Sequence, residues 1–316
     1  MASRITFLKF QDLSDLVLSA AAKLPNDIDL VVGIPRSGLL AANMLSTFLN
    51  KPLSDLAGFN ANVKVWKSQR MSLGGGVEYP NEARKVLLVD DSIHSGISLE
   101  MAKESLKLED RDVEILTFVP IATESVLDRV DYYGKVINVP RLFEWNIMNH
   151  PIMEWSCVDI DGVLCDDPSP EDNDDGEKYM NFILNAPPKF IPKFEIGCLV
   201  TSRLEKYRDA TVEWMNKHGI KFRDLRMIDV DTAEERRRLK LHIPHKAKMY
   251  DELSDFRLFY ESESWQASEI HRLTKRPVFC VDSWTLHQKN DIVVGGAKRL
   301  VKRVLPKKIV NILRGR

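Results

Sequence analysis

The sequence predicts an α/β protein made of two consecutive parallel-sheet domains, and three observations carry that prediction. Two apolar runs without polar alternation, "LVVG" at residues 30–33 and "VLLV" at 86–89, read as strands covered on both faces, as parallel strands are. Each run breaks into a loop of small residues and then a helical pattern, the strand–loop–helix order of a parallel sheet. The same order begins again at "WSCVDIDGVLCDD", residues 155–167, so the 316 residues divide in two, in keeping with roughly one domain per 100–200 residues. The expected boundaries are 1–148, 149–290 and a basic tail at 291–316.

In the first strand–loop–helix unit, "DLVVGIPRSGLLAA" at 29–42, Gly33 and Gly38 permit close backbone approach. Pro35 stiffens the turn and Arg36 sets a permanent cation beside any bound anion. In the second, "KVLLVDDSIHSG" at 85–96, the strand ends on Asp90 and Asp91, and a helix is predicted from about 97 to 106. The carboxyl end of such a strand is where an open α/β sheet binds ligands, and a loop of small residues at a helix N-terminus receives phosphate. Two carboxylates would repel that phosphate; they suit neighbouring hydroxyls, or a Mg²⁺ ion held by those hydroxyls. A ribose 5-phosphate offers phosphate and hydroxyls together, while a generic α/β turn with an Asp pair, of the response-regulator kind, is the other reading.

Taken together, the GIPRSG and VLLVDDSIHSG stretches resemble the type I phosphoribosyltransferases, over roughly the first 145 residues. The resemblance implies that Gly33, Ile34, Pro35, Arg36, Ser37 and Gly38 hold the pyrophosphate of phosphoribosyl pyrophosphate (PRPP). By the same resemblance Asp90 and Asp91 contact the ribose hydroxyls, and Ser92, Ile93, His94, Ser95 and Gly96, with Ser98, cradle the 5-phosphate. Ser92 and the His94-Ser95 pair depart from the commoner Val and Thr-Thr filling of that loop. The family also carries a mobile loop between the two motifs, and Lys64, Lys67 and Arg70 beside Gly74, Gly75 and Gly76 fit such a lid; a solvated basic hairpin fits them as well. Residues 141–145 either finish the domain as a hood over the acceptor or form a linker anchored by core aromatics.

The second half opens on Asp159 and Asp161, one residue apart, so their side chains start on one face of an extended strand. Paired carboxylates can divide labour between nucleophile and general acid and base. The segment resembles the DxDGVL signature of the haloacid-dehalogenase-like (HAD) phosphatases, and the second domain is accordingly expected to be a HAD-like Rossmannoid fold with a small cap. By that resemblance Asp159 attacks phosphorus, and Asp161 protonates the leaving alkoxide and then activates water. Thr201, in "CLVTSR", would hydrogen-bond the phosphoryl group, with Ser202 and Arg203 beginning the next turn. Lys246, favoured over Lys248, would offset the negative charge. Glu261 or Glu263 would complete a Mg²⁺ site with Asp159 and Asp161. The acids between residues 166 and 177 read as a solvated loop.

Composition narrows the partners. With 44% hydrophobic residues and a net charge of −1, the chain is an ordinary globular one and gives no sign of a nucleic-acid partner. Neither a signal-peptide core nor an apolar run of membrane-spanning length is visible, which predicts a cytoplasmic protein. Cys157, Cys165, Cys198 and Cys280 lack CxxC spacing and read as reduced core residues. The last twenty residues hold eight Lys or Arg and no acid, a basic amphipathic pattern that suits either peripheral contact with the inner membrane or packing against an acidic body.

Transfer of 5-phosphoribose followed by phosphate removal leaves a plain ribofuranose, and the pairing resembles bacterial systems that put ribofuranose into surface polysaccharides such as O-antigens and capsules. The expectation is a bifunctional enzyme using PRPP, Mg²⁺ and a glycan or lipid-linked oligosaccharide acceptor, with dimerisation expected from the family alone. Two other readings stay open: a nucleobase phosphoribosyltransferase fused to a nucleotidase, and a PRPP-sensing regulator.

Overall fold

The computed structural model describes residues 4–67, 76–108 and 112–288. It divides into two compact units, Ile5–Trp145 and a second that begins at Asn146. The basic tail, from 291 onward, lies outside the described residues.

The first unit contains β1 (Thr6–Leu8), β2 (Leu30–Gly33), β3 (Leu53–Asp55), β4 (Lys85–Val89), β5 (Ser92–Ile93), β6 (Glu114–Ala122), β7 (Tyr132–Val136) and β8 (Arg141–Phe143). Its main sheet runs β3-β2-β4-β6-β5, with β7 also on β6, and every pairing is parallel. The apolar runs look continuous because successive residues feed two separate cores. Leu30, Val32, Val86 and Leu88 pack on one face with Phe59, Leu99 and Ala102. On the other face Val31, Leu87, Val89 and Phe118 meet Leu13 and Val17 of the helix Phe10–Ala21, and Ala41, Ala42 and Leu45 of the helix Gly38–Leu49. Apart from the main sheet, β1 and β8 pair in parallel, Thr6 opposite Arg141 and Leu8 opposite Phe143.

The second unit contains β9 (Ser156–Val158), β10 (Cys198–Leu204), β11 (Leu225–Ile228), β12 (Leu258–Glu261), β13 (Val278–Cys280) and β14 (Thr285–His287). Their order is β11-β10-β9-β12-β13-β14, parallel except for β14. From β9 the chain winds outward through β10 and β11, then returns to build the other side from β12. The sheet therefore reverses direction between β9 and β12, and in open α/β sheets ligands bind at the carboxyl ends of strands flanking such a switch. All four cysteines are buried and free, as their spacing predicts.

Candidate active sites

At the carboxyl end of β2, Gly33 lies so close to the following helix that an added Cβ would stand 2.7 Å from Leu39 Cδ2 and 2.9 Å from Ala42 Cβ. The loop then leaves Pro35 and Arg36 exposed, with Ile34 buried and its N–H bonded to Val89 O at 2.9 Å. Gly38 sits against the second motif, since a Cβ there would meet Asp90 Oδ1 and Val89 O at 2.8 Å. The two loops are also joined by side chains: Ser37 Oγ donates to Asp91 Oδ1 at 3.0 Å.

Asp91 is 6% exposed and takes a second donor, Trp145 Nε1, on Oδ2 at 2.7 Å. Asp90 is partly exposed and accepts the Asp91 N–H at 2.8 Å. Burial, and then the neighbouring Asp91 charge, push the Asp90 carboxyl up to about 7. Beyond the acids, Ser92 is half-buried and Ile93 buried in β5, whereas His94, Ser95 and Ser98 face solvent. Gly96 has φ +84°, a left-handed conformation that favours glycine, and starts the helix Ile97–Ser105. Arg129 steadies this turn through Ser95 O at 3.1 Å and Glu100 Oε1 at 3.0 Å. The result is an exposed turn that carries the Ser95 and Ser98 side chains and follows directly on the two carboxylates.

Two open alternatives in this unit narrow, and one contact is new. Lys67 and Lys64 both reach Glu78, at 3.1 and 3.3 Å, so these two cations already have an anionic partner, as in the hairpin reading; Arg70, Gly74 and Gly75 lie outside the described residues. Residues 141–145 are the anchored alternative, not an open stacking surface. Phe143 is buried against Trp145, ring centroids 4.7 Å apart and planes within 3°, and Arg141 is buried with its guanidinium on the carbonyls of Ile93 and Ile137. The indole contact to Asp91 escaped sequence reasoning, because it joins positions 54 residues apart and nothing in the local pattern of residue 145 announces it.

In the second unit β9 ends at Val158, so Asp159 and Asp161 lie beyond the strand in a turn. They are held by different cations. Lys246, 2% exposed, donates to Asp159 Oδ2 at 2.6 Å and Glu261 Oε2 at 2.7 Å, and to Gln266 Oε1 at 3.2 Å. Burial opposes the ammonium charge, but the Asp159 and Glu261 carboxylates outweigh it and raise the lysine. Burial pushes the Asp159 carboxyl up to about 8, Lys246 partly offsetting it. Asp161 instead receives the fully buried Arg203, with Nη2 to Oδ1 at 2.6 Å and Nε to both oxygens at 3.2 Å.

Ser202 and Arg203 do not begin a turn as expected: β10 continues to Leu204, because Asp161 gives the inward-facing guanidinium its counter-charge. Thr201 is buried and its Oγ1 accepts the Arg203 N–H at 3.2 Å. Nearby, Ser202 Oγ and Arg236 Nε are buried with no partner, while Arg236 Nη1 reaches Ser202 O. Lys248 is exposed and 3.8 Å from Glu252, which leaves Lys246 as the lysine of this cluster.

The expected Mg²⁺ set, Asp159 and Asp161 with Glu261 or Glu263, is not assembled. Both oxygens of Glu261 are engaged, by Lys246 and by the Ser262 N–H at 3.0 Å; Asp161 is on Arg203, and Glu263 accepts from Gln266 Nε2 at 2.6 Å. Among the described residues no three His, Cys, Asp or Glu side chains converge as a ligand set. The acid-rich loop is likewise more than a solvated run: Asp174 caps the helix Glu177–Asn185 through the N–H groups of Gly176 and Tyr179, and Asp175 accepts from Tyr207 Oη and the Ala233 N–H.

Comparison with known proteins bears on the first unit. The family model described as a phosphoribosyl transferase domain matches residues 8–149. The chain is 28% identical over 137 residues to an orotate phosphoribosyltransferase of Sulfurisphaera tokodaii, an alignment covering 43% of this chain and 66% of that relative, just under two thirds. Among solved structures it is similar to a purine phosphoribosyltransferase from Pyrococcus horikoshii, with 22% identity, 45% of this chain, 94% of that one and a TM-score of 0.33. A similar likeness is to the orotate phosphoribosyltransferase from Aeropyrum pernix, with 21% identity, 40% and 70% coverage and a TM-score of 0.29. No helix among the described residues is long and apolar enough to cross a membrane. The stretch from residue 8 to 149, which contains the two motif loops that meet at Ser37 and Asp91, matches a phosphoribosyl transferase domain.

Proposed function

We propose that the chain is a bifunctional enzyme that transfers 5-phosphoribose from PRPP to a glycan acceptor and then removes the 5-phosphate. The observation that carries the first step is the junction of the two loops through Ser37 and Asp91, which puts an exposed arginine, an acid pair and a helix N-terminus at the ends of neighbouring strands. In this reading Arg36 and the backbone of residues 33–38 hold the pyrophosphate, Asp90 and Asp91 accept hydrogen bonds from the ribose hydroxyls, and residues 92–98 hold the 5-phosphate. The bond from ribose C1 to the pyrophosphate oxygen breaks, a bond to the acceptor oxygen forms with inversion, and the acceptor loses its proton.

The second step is supported by the cluster at the switch point of the second sheet. Asp159 would attack phosphorus and release the sugar alkoxide, which takes its proton from Asp161; a water, giving its proton back to Asp161, then frees inorganic phosphate, and in this reading Asp161 leaves its pairing with Arg203 when substrate binds. Lys246 holds Asp159 in place and offsets charge on the phosphoryl group, and Thr201 offers its hydroxyl to a phosphoryl oxygen. The HAD-like fold with a small cap, a cytoplasmic location at the membrane face and a dimer belong to this same reading, with Mg²⁺ entering as the magnesium complex of PRPP.

A second reading, transfer to a nucleobase, is favoured by the similarity to an orotate phosphoribosyltransferase. Mass spectrometry decides between them. A fluorescent glycan acceptor incubated with magnesium PRPP should gain pentose with the wild type and stop at phosphopentose with Asp159→Asn. If the glycan stays unchanged while orotate or a purine is consumed with PRPP, the second reading replaces the first.

A further inference from the structure

Asp91 is an acid whose two oxygens are both occupied by the protein's own donors: Ser37 Oγ on Oδ1 at 3.0 Å and Trp145 Nε1 on Oδ2 at 2.7 Å. Ser37 belongs to the pyrophosphate loop itself. Trp145 comes from the far end of the unit, and the chain around it is fixed by several independent contacts. Its ring lies flat on Phe143 at 4.7 Å and tilted against Phe10 at 5.7 Å. The neighbouring Glu144 donates its N–H to Leu8 O at 2.9 Å, and its carboxylate accepts the Phe10 N–H at 2.7 Å. Arg141, four residues upstream, is buried on the carbonyls of Ile93 and Ile137. An indole held this firmly has one direction in which to offer its N–H, and that direction is Asp91.

The choice of acceptor is informative. Trp214 is fully buried and donates to a backbone carbonyl, Ala186 O at 2.9 Å, the usual way in which a core tryptophan satisfies its only polar atom. Trp145 is half-buried and could have met solvent, yet its N–H is paired with a carboxylate. A hydrogen bond to an ionised acceptor is shorter and stronger than one between neutral groups, and it fixes the rotation of the carboxylate plane. Without it Asp91 would keep only the Ser37 hydroxyl and could turn about its side-chain torsions. Asp90 would move too, because it accepts the Asp91 N–H at 2.8 Å and shares the same turn.

We propose that Trp145 is a positioning residue for phosphoribosyl transfer, its indole N–H fixing the Asp91 carboxylate in the orientation in which the acid pair meets the ribose hydroxyls. The inference rests on the PRPP reading above and deepens it. It separates the two parts of the donor substrate: the pyrophosphate loop keeps backbone supports that do not involve the indole, Ile34 N on Val89 O and the packing of Gly33 on Leu39 and Ala42, whereas Asp91 without the indole keeps only the Ser37 hydroxyl.

The test is isothermal calorimetry of wild type and Trp145→Phe with two probes, PRPP and pyrophosphate, each as its magnesium complex. Phenylalanine keeps an aromatic ring on Phe143 and removes only the donor. The expected result is about a tenfold weaker PRPP affinity, the scale of one charge-assisted hydrogen bond, with pyrophosphate affinity within about twofold of wild type. Retained pyrophosphate binding also certifies that the variant is folded. Parallel loss of both ligands would mean that Trp145 serves the fold and not Asp91, and unchanged binding of both would mean that the indole contact is idle; either overturns the proposal. A wild type that binds pyrophosphate but not PRPP would instead bring down the PRPP reading, and the positioning role with it. Phe10→Leu, which loosens the aromatic stack but leaves the N–H, should retain PRPP affinity, and a loss equal to that of Trp145→Phe would also overturn it.

Discussion

Asp90 is a carboxylic acid whose charge changes near neutral pH. With its carboxyl pushed up to about 7 by burial and by Asp91, it is largely protonated at pH 6 and ionised at pH 8. Only the carboxylate accepts from two hydroxyls, so PRPP affinity should rise between pH 6 and 8, and Asp90→Asn should flatten that rise in a titration series. Stability runs the other way. In the unfolded chain the group titrates near about 3.9, so between about 4 and 7 the native state binds more protons and this group's contribution to stability falls as pH rises. Asp90→Asn should therefore raise the melting temperature at pH 8 and leave it nearly unchanged at pH 4, as scanning calorimetry can measure. Lys246 is the opposite case, a buried cation between two buried acids. Lys246→Met leaves Asp159 and Glu261 facing each other without a counter-charge, and urea unfolding should show a loss of about 3–5 kcal/mol.

At the scale of elements, close packing of strand on helix sets both loops. Gly33→Ala would drive a Cβ to within 2.7 Å of Leu39, and denaturant unfolding should register about 1–3 kcal/mol of destabilisation from overpacking. The main strands were legible because each buried run fills two cores and so carries no polar residue: β4 ends where the apolar letters end, and β2 stops at Gly33, one residue before Ile34. The extension of β10 through Arg203 was not legible, since a charged residue looks like the end of a buried strand until its partner is known, and that partner, Asp161, is 42 residues away. The same reason left residues 141–145 undecided between a hood and an anchored linker. Aromatics near a domain end are equally good at stacking on a ligand and at filling a core, and only the pairing of β1 with β8 decides between them.

For the whole molecule, the motifs sort cleanly into two units, each with its own parallel sheet and its own acids at strand ends. The two proposed activities should accordingly be separable. Asp90→Asn with Asp91→Asn should abolish pyrophosphate release while leaving hydrolysis of a simple phosphomonoester within about twofold, and Asp159→Asn should do the reverse; loss of both activities in either variant would contradict two independent sites. Which acids the sequence places at strand ends was readable from local pattern; which cation each acid meets was not, because Lys246 and Arg203 reach them across the sheet. The pairing of β1 with β8 has a consequence for how the protein is made. Thr6 finds its partner only at Arg141, so a nascent chain leaving the ribosome carries its first strand unpaired until nearly the whole unit has emerged. Only then can the aromatic stack of Phe10, Phe143 and Trp145 close behind Asp91. Ribosomes stalled before residue 145 should thus display a sheet that is folded yet unable to retain PRPP.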